Sequence, residues 1–484
     1  MVPSGGVSSP PMQKAQRQND SRVQEFLTDP RKALWKLSMP ILGGMVIHTL
    51  YSVVDMMFVG WVGPDAVTAL AFNMPLVFFT MGVTMGLSTG ATAVVAQAIG
   101  GRNMARADNA AEHAVVLGLA VGIPMAAFGL VFGPQMLQIL GAGGEVKSLA
   151  WSYFQVICWG LIFSVMSAFF RGILAGEGDT MRPMIVMSGG MVLNMILDPI
   201  FIFWLDLGVR GAAFATITSQ IAVFLVLAYL IFIRRVTFVR FRLRHFKLQL
   251  GILGAIFKIG LPASLSFVFM SMGQGVYNRI LSDFSPYAVA AYQIASRVEM
   301  IYFMPILAIA AGVVTLTGMF FGAEEYNRLR EIIRYAIGRS MLIGFAGIVL
   351  IIPAAPVILQ IFKPSAEILD YGVTYLRIIA IIFPFAPVGI ISGRAMQGLG
   401  KGLPFMVLSF IRVIAVGTPL AIFFTYVLDK SIEWVWVAMV SGGIVSMVVG
   451  VIWLGVSLRR AERLPRNGPE ESLLEPIDVM DAAI

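Results

Sequence analysis

Residues 182–204 read RPMIVMSGGMVLNMILDPIFIFW, and Asp198 is the only acid in this run. An α-helix rises 1.5 Å per residue, so the stretch is long enough to cross the roughly 30 Å hydrocarbon core of a bilayer. An ionised carboxyl group in hydrocarbon costs roughly 2.5–3.5 kcal/mol or more and usually marks a functional site. The stretch therefore predicts a membrane span that carries a candidate ion or proton site at Asp198.

The whole chain has the composition of a polytopic membrane protein. Of its 484 residues, 58% are hydrophobic and 13% are charged, and the mean hydropathy is +0.83. These values exclude an ordinary soluble globular protein. The single cysteine, Cys158, excludes an intramolecular disulfide and a cysteine-based zinc site. The net charge of +8 comes from short basic blocks between apolar runs, so it does not indicate a nucleic-acid partner.

Twelve apolar runs are long enough to span a membrane, which predicts an all-α fold of twelve transmembrane helices. They cover residues 34–60, 66–96, 109–132, 148–174, 182–204, 211–233, 252–282, 287–320, 332–352, 368–393, 403–426 and 433–458. Lys and Arg concentrate in alternate loops, which predicts a multi-pass protein of the cell membrane with both termini cytoplasmic.

The two halves of the chain resemble each other at a shift of about 222 residues, as in many transporters. Pro64-Asp-Ala-Val-Thr-Ala69, for example, matches Pro286-Tyr-Ala-Val-Ala-Ala291. Each half has six spans, so we expect two pseudo-symmetric six-helix lobes. The predicted division is a disordered cytoplasmic tail over 1–32, an amino-terminal lobe over 33–235, a basic cytoplasmic linker over 236–250, a carboxy-terminal lobe over 251–460 and an acidic cytoplasmic tail over 461–484.

A second acid, Asp55, lies in the first span. Tyr51 and His48 precede it by four and seven residues, so all three project from one helix face. The fifth span offers Asn194 four residues before Asp198, again on one face. Ordinary packing of His48 is the alternative to a role in a proton relay.

The two acids occur in only one half of the chain, because Tyr277 and Thr418 occupy the equivalent positions of the second half. A site needed once explains this asymmetry better than a packing role does. Loss of hydration disfavours the charged form of a buried carboxyl group, so the acids can bind a proton. Oxygen ligands from Asp55, Asn194, Asp198 and Thr216 would also suit a sodium ion, and both ions stay open. For Asn194 and Thr216, interhelical hydrogen bonding is the alternative.

The chain resembles the multidrug and toxic compound extrusion (MATE) family, specifically its DinF-like branch. The resemblance rests on the twelve-span repeat and on Pro40, Asp55, the run Asn194-Met-Ile-Leu-Asp198-Pro199 and Gly211-Ala-Ala-Phe-Ala-Thr216. It implies two lobes around a central V-shaped cavity and alternating access. The implied function is secondary active efflux of amphiphilic, often cationic compounds by proton- or sodium-coupled antiport.

The resemblance also assigns roles to individual residues. It implies a cation site at Asp55, Asn194, Asp198 and Thr216, with Tyr51 and Tyr153 as hydrogen-bonding neighbours. Pro40 would bend helix 1, since proline removes one backbone hydrogen bond. We expect a transporter rather than an enzyme, with no cofactor besides the coupling ion, small amphiphilic substrates and the lipid bilayer as partners. Nothing in the sequence requires a second copy, so we expect a monomer.

The carboxy-terminal lobe offers Glu299 and Arg412 as candidate intramembrane charges. Arg412 lies about ten residues into its span, too deep to reach the surface easily, so it requires an acid, a carbonyl or an anion as partner. A static buried pair is the alternative to a functional role. A positively charged carboxy-terminal lobe would direct cationic substrates to the amino-terminal lobe.

Two other functions fit part of the sequence. A lipid-linked oligosaccharide flippase of the same superfamily would use the arginines of the carboxy-terminal lobe to hold a pyrophosphate. Gly176-Glu-Gly-Asp179 has the Gly-x-Gly-Asp form of intramembrane aspartyl proteases. The matching Gly398-Leu-Gly400-Lys401 in the second half shows that these glycines belong to the repeat, and a tight turn explains them.

Overall fold

The computed structural model describes residues 22–241 and 246–463. Eleven unbroken helices and one bent helix pair in these ranges are long and apolar enough to cross a membrane. The predicted all-α class with twelve spans is therefore confirmed. The helices are α1 (Pro30–Val62), α2 (Pro64–Gly100), α3 (Met104–Ile139), α4 (Gly144–Gly176), α5 (Met181–Trp204), α6 (Gly208–Ile233), α7 (Leu250–Phe284), α8 (Pro286–Gly322), α9 (Tyr326–Gln360), α10 (Ala366–Ile382 with Ala386–Gly398), α11 (Leu403–Val427) and α12 (Glu433–Arg463).

Several helices extend beyond the apolar runs that predicted them. The run over 332–352, for example, lies inside α9, which starts six residues earlier and ends eight residues later. The polar first turn of α3 is fixed by a cap, because the Asn103 side chain accepts a hydrogen bond from the backbone N–H of Arg106 at 2.9 Å. Hydropathy marks only the part of a helix that fits hydrocarbon, so capped polar turns escape it.

The amino-terminal tail is ordered further than predicted. Residues 22–28 form a short helix in which Val23 and Phe26 are buried. Asp29 then caps α1 by accepting a hydrogen bond from the Lys32 backbone N–H at 3.0 Å, and Pro30 occupies the favoured first helical position. The predicted disordered segment over 1–32 is therefore too long, because two buried apolar side chains anchor its end. Residues 1–21 and the predicted acidic tail from residue 464 lie outside the described residues.

The chain divides into two compact units. Unit 1 runs to Thr80 and adds Ala91–Leu253 and Gly318–Arg328, and unit 2 holds Met81–Gly90, Gly254–Thr317 and the chain from Leu329. The division after Leu253 lies near the predicted start of the carboxy-terminal lobe at residue 251. The assignment of segments 81–90 and 318–328 to the opposite units was not predicted.

Helix α10 is broken, whereas the sequence predicted one span over 368–393. Its two parts meet at an angle of 54°. Pro384 lies at the break and has no backbone N–H, so the helical hydrogen-bond ladder cannot continue through it. The broken backbone packs on Gly344 of α9, where an added Cβ would lie 2.5 Å from the Phe383 carbonyl oxygen. The break thus depends on a residue without a side chain on the neighbouring helix.

Gly344→Ala should destabilise the protein by roughly 1–3 kcal/mol, because the new methyl group would press on the backbone of the α10 break. Gly338→Ala is the matched control on the same helix, since no atom lies within 4 Å of its Cβ position. We expect the control to be neutral or slightly stabilising. Thermal unfolding of the purified variants in detergent checks this, and equal melting temperatures would contradict the packing account.

Candidate functional site

Four helices of unit 1 bring together the residues predicted for the amino-terminal cation site. Tyr51 and Asp55 come from α1, Tyr153 from α4, Asp198 from α5 and Thr216 from α6. Both tyrosines interact with both acids and with Thr216. Residues that the sequence placed on separate spans therefore form one cluster, which we call the acid cluster.

Asp198 is the centre of the acid cluster. Its side chain is 0% exposed, and neither of its carboxylate oxygens forms a hydrogen bond of normal geometry with any described residue. Asp55, half-buried, is the charged side chain that acts on it. Buried acceptors without partners are costly and rare. This arrangement therefore requires a positive species, a proton or a metal cation, between or beside the two carboxyl groups.

Asn194 and Thr216 supply further oxygens to the acid cluster. The Asn194 side-chain amide donates to Thr216 Oγ1 at 3.5 Å, and its own Oδ1 is buried without a partner. Thr216 Oγ1 donates to the Ala212 carbonyl at 3.0 Å, so its lone pairs remain available. These oxygens, together with those of Asp198, are hard ligands of the kind that suits sodium. The residues present thus fit either a proton or a sodium ion.

The backbone changes geometry directly after Asp198. Helix α5 is α-helical over Met181–Pro199 and becomes π-helical over Ile200–Trp204. Pro199 lacks the N–H that would continue the α-helical ladder, and single π-helical turns are frequent at functional sites. The Asp-Pro pair therefore places the acid at the last α-helical turn before an irregular segment.

Two other predicted residues of α1 lie outside the acid cluster. The exposed His48 touches it only through Tyr51, whose ring it meets edge-on at a centroid distance of 5.9 Å. The charged side chain that acts on His48 is Arg171, not either acid. Pro40 is buried inside α1, which remains α-helical on both sides of it. A relay role for His48 and a functional bend at Pro40 stay predictions.

Unit 2 holds Glu299 in a second buried group, the carboxy cluster, formed by Glu299, Arg412, Tyr292, Tyr375 and Trp436. Tyr375 Oη donates to Glu299 Oε2 at 2.5 Å. Arg412 acts on Glu299 electrostatically without an N–O contact within 4.0 Å among the described residues. The Trp436 ring packs on Tyr375 and Tyr292 at centroid distances of 4.8 and 5.9 Å. Arg412 itself lies in a π-helical segment, Ile411–Gly417.

The repeat equivalents of the two acids also lie side by side. Tyr277 and Thr418, which the sequence aligned with Asp55 and Asp198, contact each other in unit 2. Unit 2 therefore preserves the juxtaposition but replaces a pair of carboxyl groups with two neutral hydroxyls. This geometry supports the sequence-based equivalence of the four positions.

The family model MatE matches residues 40–200 and 262–423, two segments offset by the shift of the predicted repeat. The chain belongs to the MatE family. Membership of the predicted MATE family is thus confirmed, and the chain is a multi-pass membrane transporter of the multidrug efflux family rather than an enzyme. Its assignment to the DinF-like branch stays a prediction.

Solved and curated relatives cover most of this MatE chain. A structure described as a "MOP superfamily transporter from Pyrococcus furiosus", whose title reports a binding pocket of reverse polarity, is 31% identical with a TM-score of 0.87, covering 91% of this chain and 99% of its own. The "Probable multidrug resistance protein NorM" of Thermotoga maritima is 28% identical, covering 86% and 90%. The "Probable multidrug resistance protein YoeA" of Bacillus subtilis is 26% identical, covering 85% and 90%.

Glu177 is a buried acid of this MatE chain that the sequence analysis treated only as part of a glycine turn. It directly follows α4, and its Oε1 accepts the backbone N–H of Val239 at 2.9 Å. Arg22 donates to the Glu177 carbonyl oxygen at 3.2 Å. Burial raises the pKa of Glu177 to about 8, against the opposing effects of the Val239 and Phe238 N–H groups and of Arg22. The segment after α6 thus docks on a carboxyl group that titrates near neutral pH.

Glu177→Gln should remove a pH dependence of stability. The folded-state pKa of about 8 exceeds the ordinary value of 4.5, so this stabilisation is complete below pH 4.5 and is lost as the pH rises through 8. Glutamine stays neutral and still accepts the Val239 N–H. We expect the variant to match the wild type at pH 4.5 and to exceed it by roughly 1–3 kcal/mol at pH 8.5. Thermal unfolding at both pH values checks this, and a difference independent of pH would contradict it.

Proposed function

We propose that this MatE transporter exports amphiphilic, often cationic compounds by antiport against protons or sodium ions, with Asp55 and Asp198 as the coupling site. The observation that carries the proposal is the complete burial of Asp198 opposite Asp55, with both of its oxygens unpartnered among the described residues. In alternating access, the loaded ion and the substrate would occupy this site in turn.

The charge balance of the acid cluster supports exchange. Two adjacent buried carboxyl groups cannot both be ionised without a positive charge nearby. The groups that act on Asp55 and Asp198 include no lysine or arginine among the described residues. A proton, a sodium ion or a cationic group of the substrate can each supply the missing charge. Because they satisfy the same need, binding of one weakens binding of the other, which is the linkage that antiport requires.

The relatives support the substrate class, since two of them are named as probable multidrug resistance proteins. The flippase alternative depended on free arginines in the carboxy-terminal lobe. Arg412 instead lies within electrostatic reach of Glu299, and this pairing gives a pyrophosphate no advantage there. We also propose cytoplasmic termini, from the basic loops, and a monomer, because one chain supplies both clusters.

Reconstitution into liposomes tests the proposal. Purified full-length protein would be given a pH gradient or a sodium gradient, each with the other ion balanced, and uptake of the cationic dye rhodamine 6G would be followed by fluorescence. We expect one of the two gradients to drive dye transport in protein-containing vesicles but not in protein-free vesicles. Dye movement at the same rate with no gradient, with either gradient and with both would contradict antiport.

A further inference from the structure

Arg171 is a half-buried basic side chain of α4 in unit 1. It lies five residues before the helix ends at Gly176. Its Nη1 approaches Met187 Sδ of α5 at 2.6 Å, and no carboxylate of the described residues lies within 4.0 Å of it. A thioether is a weak acceptor, whereas a guanidinium carries five N–H donors. Most of the hydrogen-bonding capacity of Arg171 therefore remains unused by the protein.

Arg394 in unit 2 is an instructive contrast. It lies four residues before Gly398, the repeat equivalent of Gly176. Its guanidinium donates to Gln397 Oε1 at 3.1 Å and lies 4.7 Å above the centre of the Phe405 ring. An arginine at this level of unit 2 thus has an oxygen acceptor and an aromatic face from the protein. Arg171 has neither among the described residues.

A second basic side chain lies next to Arg171. His48 of α1 is exposed, neither of its ring nitrogens has a hydrogen-bond partner among the described residues, and Arg171 is the charged group that acts on it. Two cation-forming groups without an acid are unfavourable together unless an anion joins them. An oxyanion would accept hydrogen bonds from both, and a guanidinium binds a carboxylate through two parallel bonds.

The wall beside these two groups is adaptable. Met187 contacts Arg171, and Met184 of the same helix lies against α1, where its Cγ is 3.3 Å from the position that a Cβ would take on Gly44. Methionine side chains are flexible and repack around ligands of different shape. A ligand group could therefore displace the Met187 thioether from Arg171 at little cost.

We propose that Arg171 and His48 form a subsite of unit 1 that binds the carboxylate of an amphiphilic substrate. This inference rests on the proposed function, in which unit 1 binds the substrate through the acid cluster. His48 and Asp55 are seven residues apart on one face of α1, which separates them by about 10 Å along the helix. The preferred substrates are therefore zwitterionic amphiphiles, with the cationic group toward Asp55 and the carboxylate toward Arg171.

A pair of dyes that differ only at the acid tests the subsite. Rhodamine 110 carries a free carboxylate, and rhodamine 123 is its methyl ester. Fluorescence polarisation would measure the equilibrium binding of each dye to the purified full-length protein in detergent. We expect Arg171→Gln to weaken rhodamine 110 binding about 10-fold or more, the usual effect of losing a charge-assisted hydrogen bond, and to change rhodamine 123 binding by less than about threefold. Arg394→Gln, the matched control in unit 2, should alter neither.

Two results would overturn the subsite: unchanged rhodamine 110 binding in Arg171→Gln, or equal losses for both dyes, which would indicate a purely structural arginine. Arg171→Lys, which keeps the charge and removes the fork, should give an intermediate loss for rhodamine 110 alone. His48→Gln gives an independent reading, and we expect it also to weaken only the free acid. No gradient is involved in these measurements, so failure of ion coupling would appear only in the liposome assay.

Discussion

Asp198→Asn and Asp55→Asn each lower gradient-driven efflux of rhodamine 6G by about 10- to 100-fold while the protein stays folded. Asparagine has the shape of aspartate but carries no charge and binds no proton. The substitution therefore removes the charge imbalance of the acid cluster, in which Asp198 is completely buried without a partner among the described residues. Initial rates in liposomes under the driving gradient measure the loss.

Ser52→Ala is the matched control for these two variants. Ser52 is an exposed residue of α1 near Asp55, and its hydroxyl donates to the His48 carbonyl at 2.9 Å within the helix. We expect transport at the wild-type rate. Size-exclusion chromatography and equilibrium dye binding would show that the asparagine variants remain intact. Wild-type efflux by both asparagine variants would remove the acids from coupling.

Glu299→Gln should destabilise the protein by about 3 kcal/mol or more, and Arg412→Gln by less. Both charges lie in the carboxy cluster, where Arg412 acts on Glu299. Arginine cannot lose its proton, so removal of the acid leaves an uncompensated buried cation. A carboxylate left alone can instead bind a proton. The double variant should recover most of the stability lost by Glu299→Gln, because both charges are gone.

A surface ion pair provides the control for this cycle. Arg330 Nη2 and Glu462 Oε2 are 2.6 Å apart, with side chains 44% and 29% exposed. Glu462→Gln should therefore change stability by less than about 1 kcal/mol. Thermal unfolding of all variants gives the coupling energy. Additive losses for Glu299 and Arg412 would show that the two charges do not stabilise each other, and a stable double variant that does not transport would show that the carboxy cluster has a functional role.

Sequence patterns predicted the parts of this protein that depend on solvation. Hydropathy gave the twelve spans, because hydrocarbon accepts only apolar helices of sufficient length. The cost of a buried carboxyl group selected Asp55 and Asp198, and the repeat aligned them with Tyr277 and Thr418. The structure places each of these pairs side by side.

The features that escaped prediction depend on tertiary contacts. Tyr375, the hydrogen-bond partner of Glu299, lies 76 residues away in the chain. The docking of Val239 on Glu177 joins residues 62 apart. Such pairs are set by the rotation and packing of helices, which a single sequence does not display. Arg171 escaped for another reason, because its position just before the Gly176 turn made it resemble an ordinary basic residue at a helix end.

The most direct test of the coupling site is the release of ions when substrate binds. Purified protein would be mixed with rhodamine 6G in weakly buffered solution, with a pH indicator reporting protons and tracer sodium reporting sodium ions. We predict that the wild type releases about one ion of a single kind per bound dye, and that Asp55→Asn and Asp198→Asn bind the dye but release none. Wild-type protein that binds the dye and releases neither ion would contradict the account.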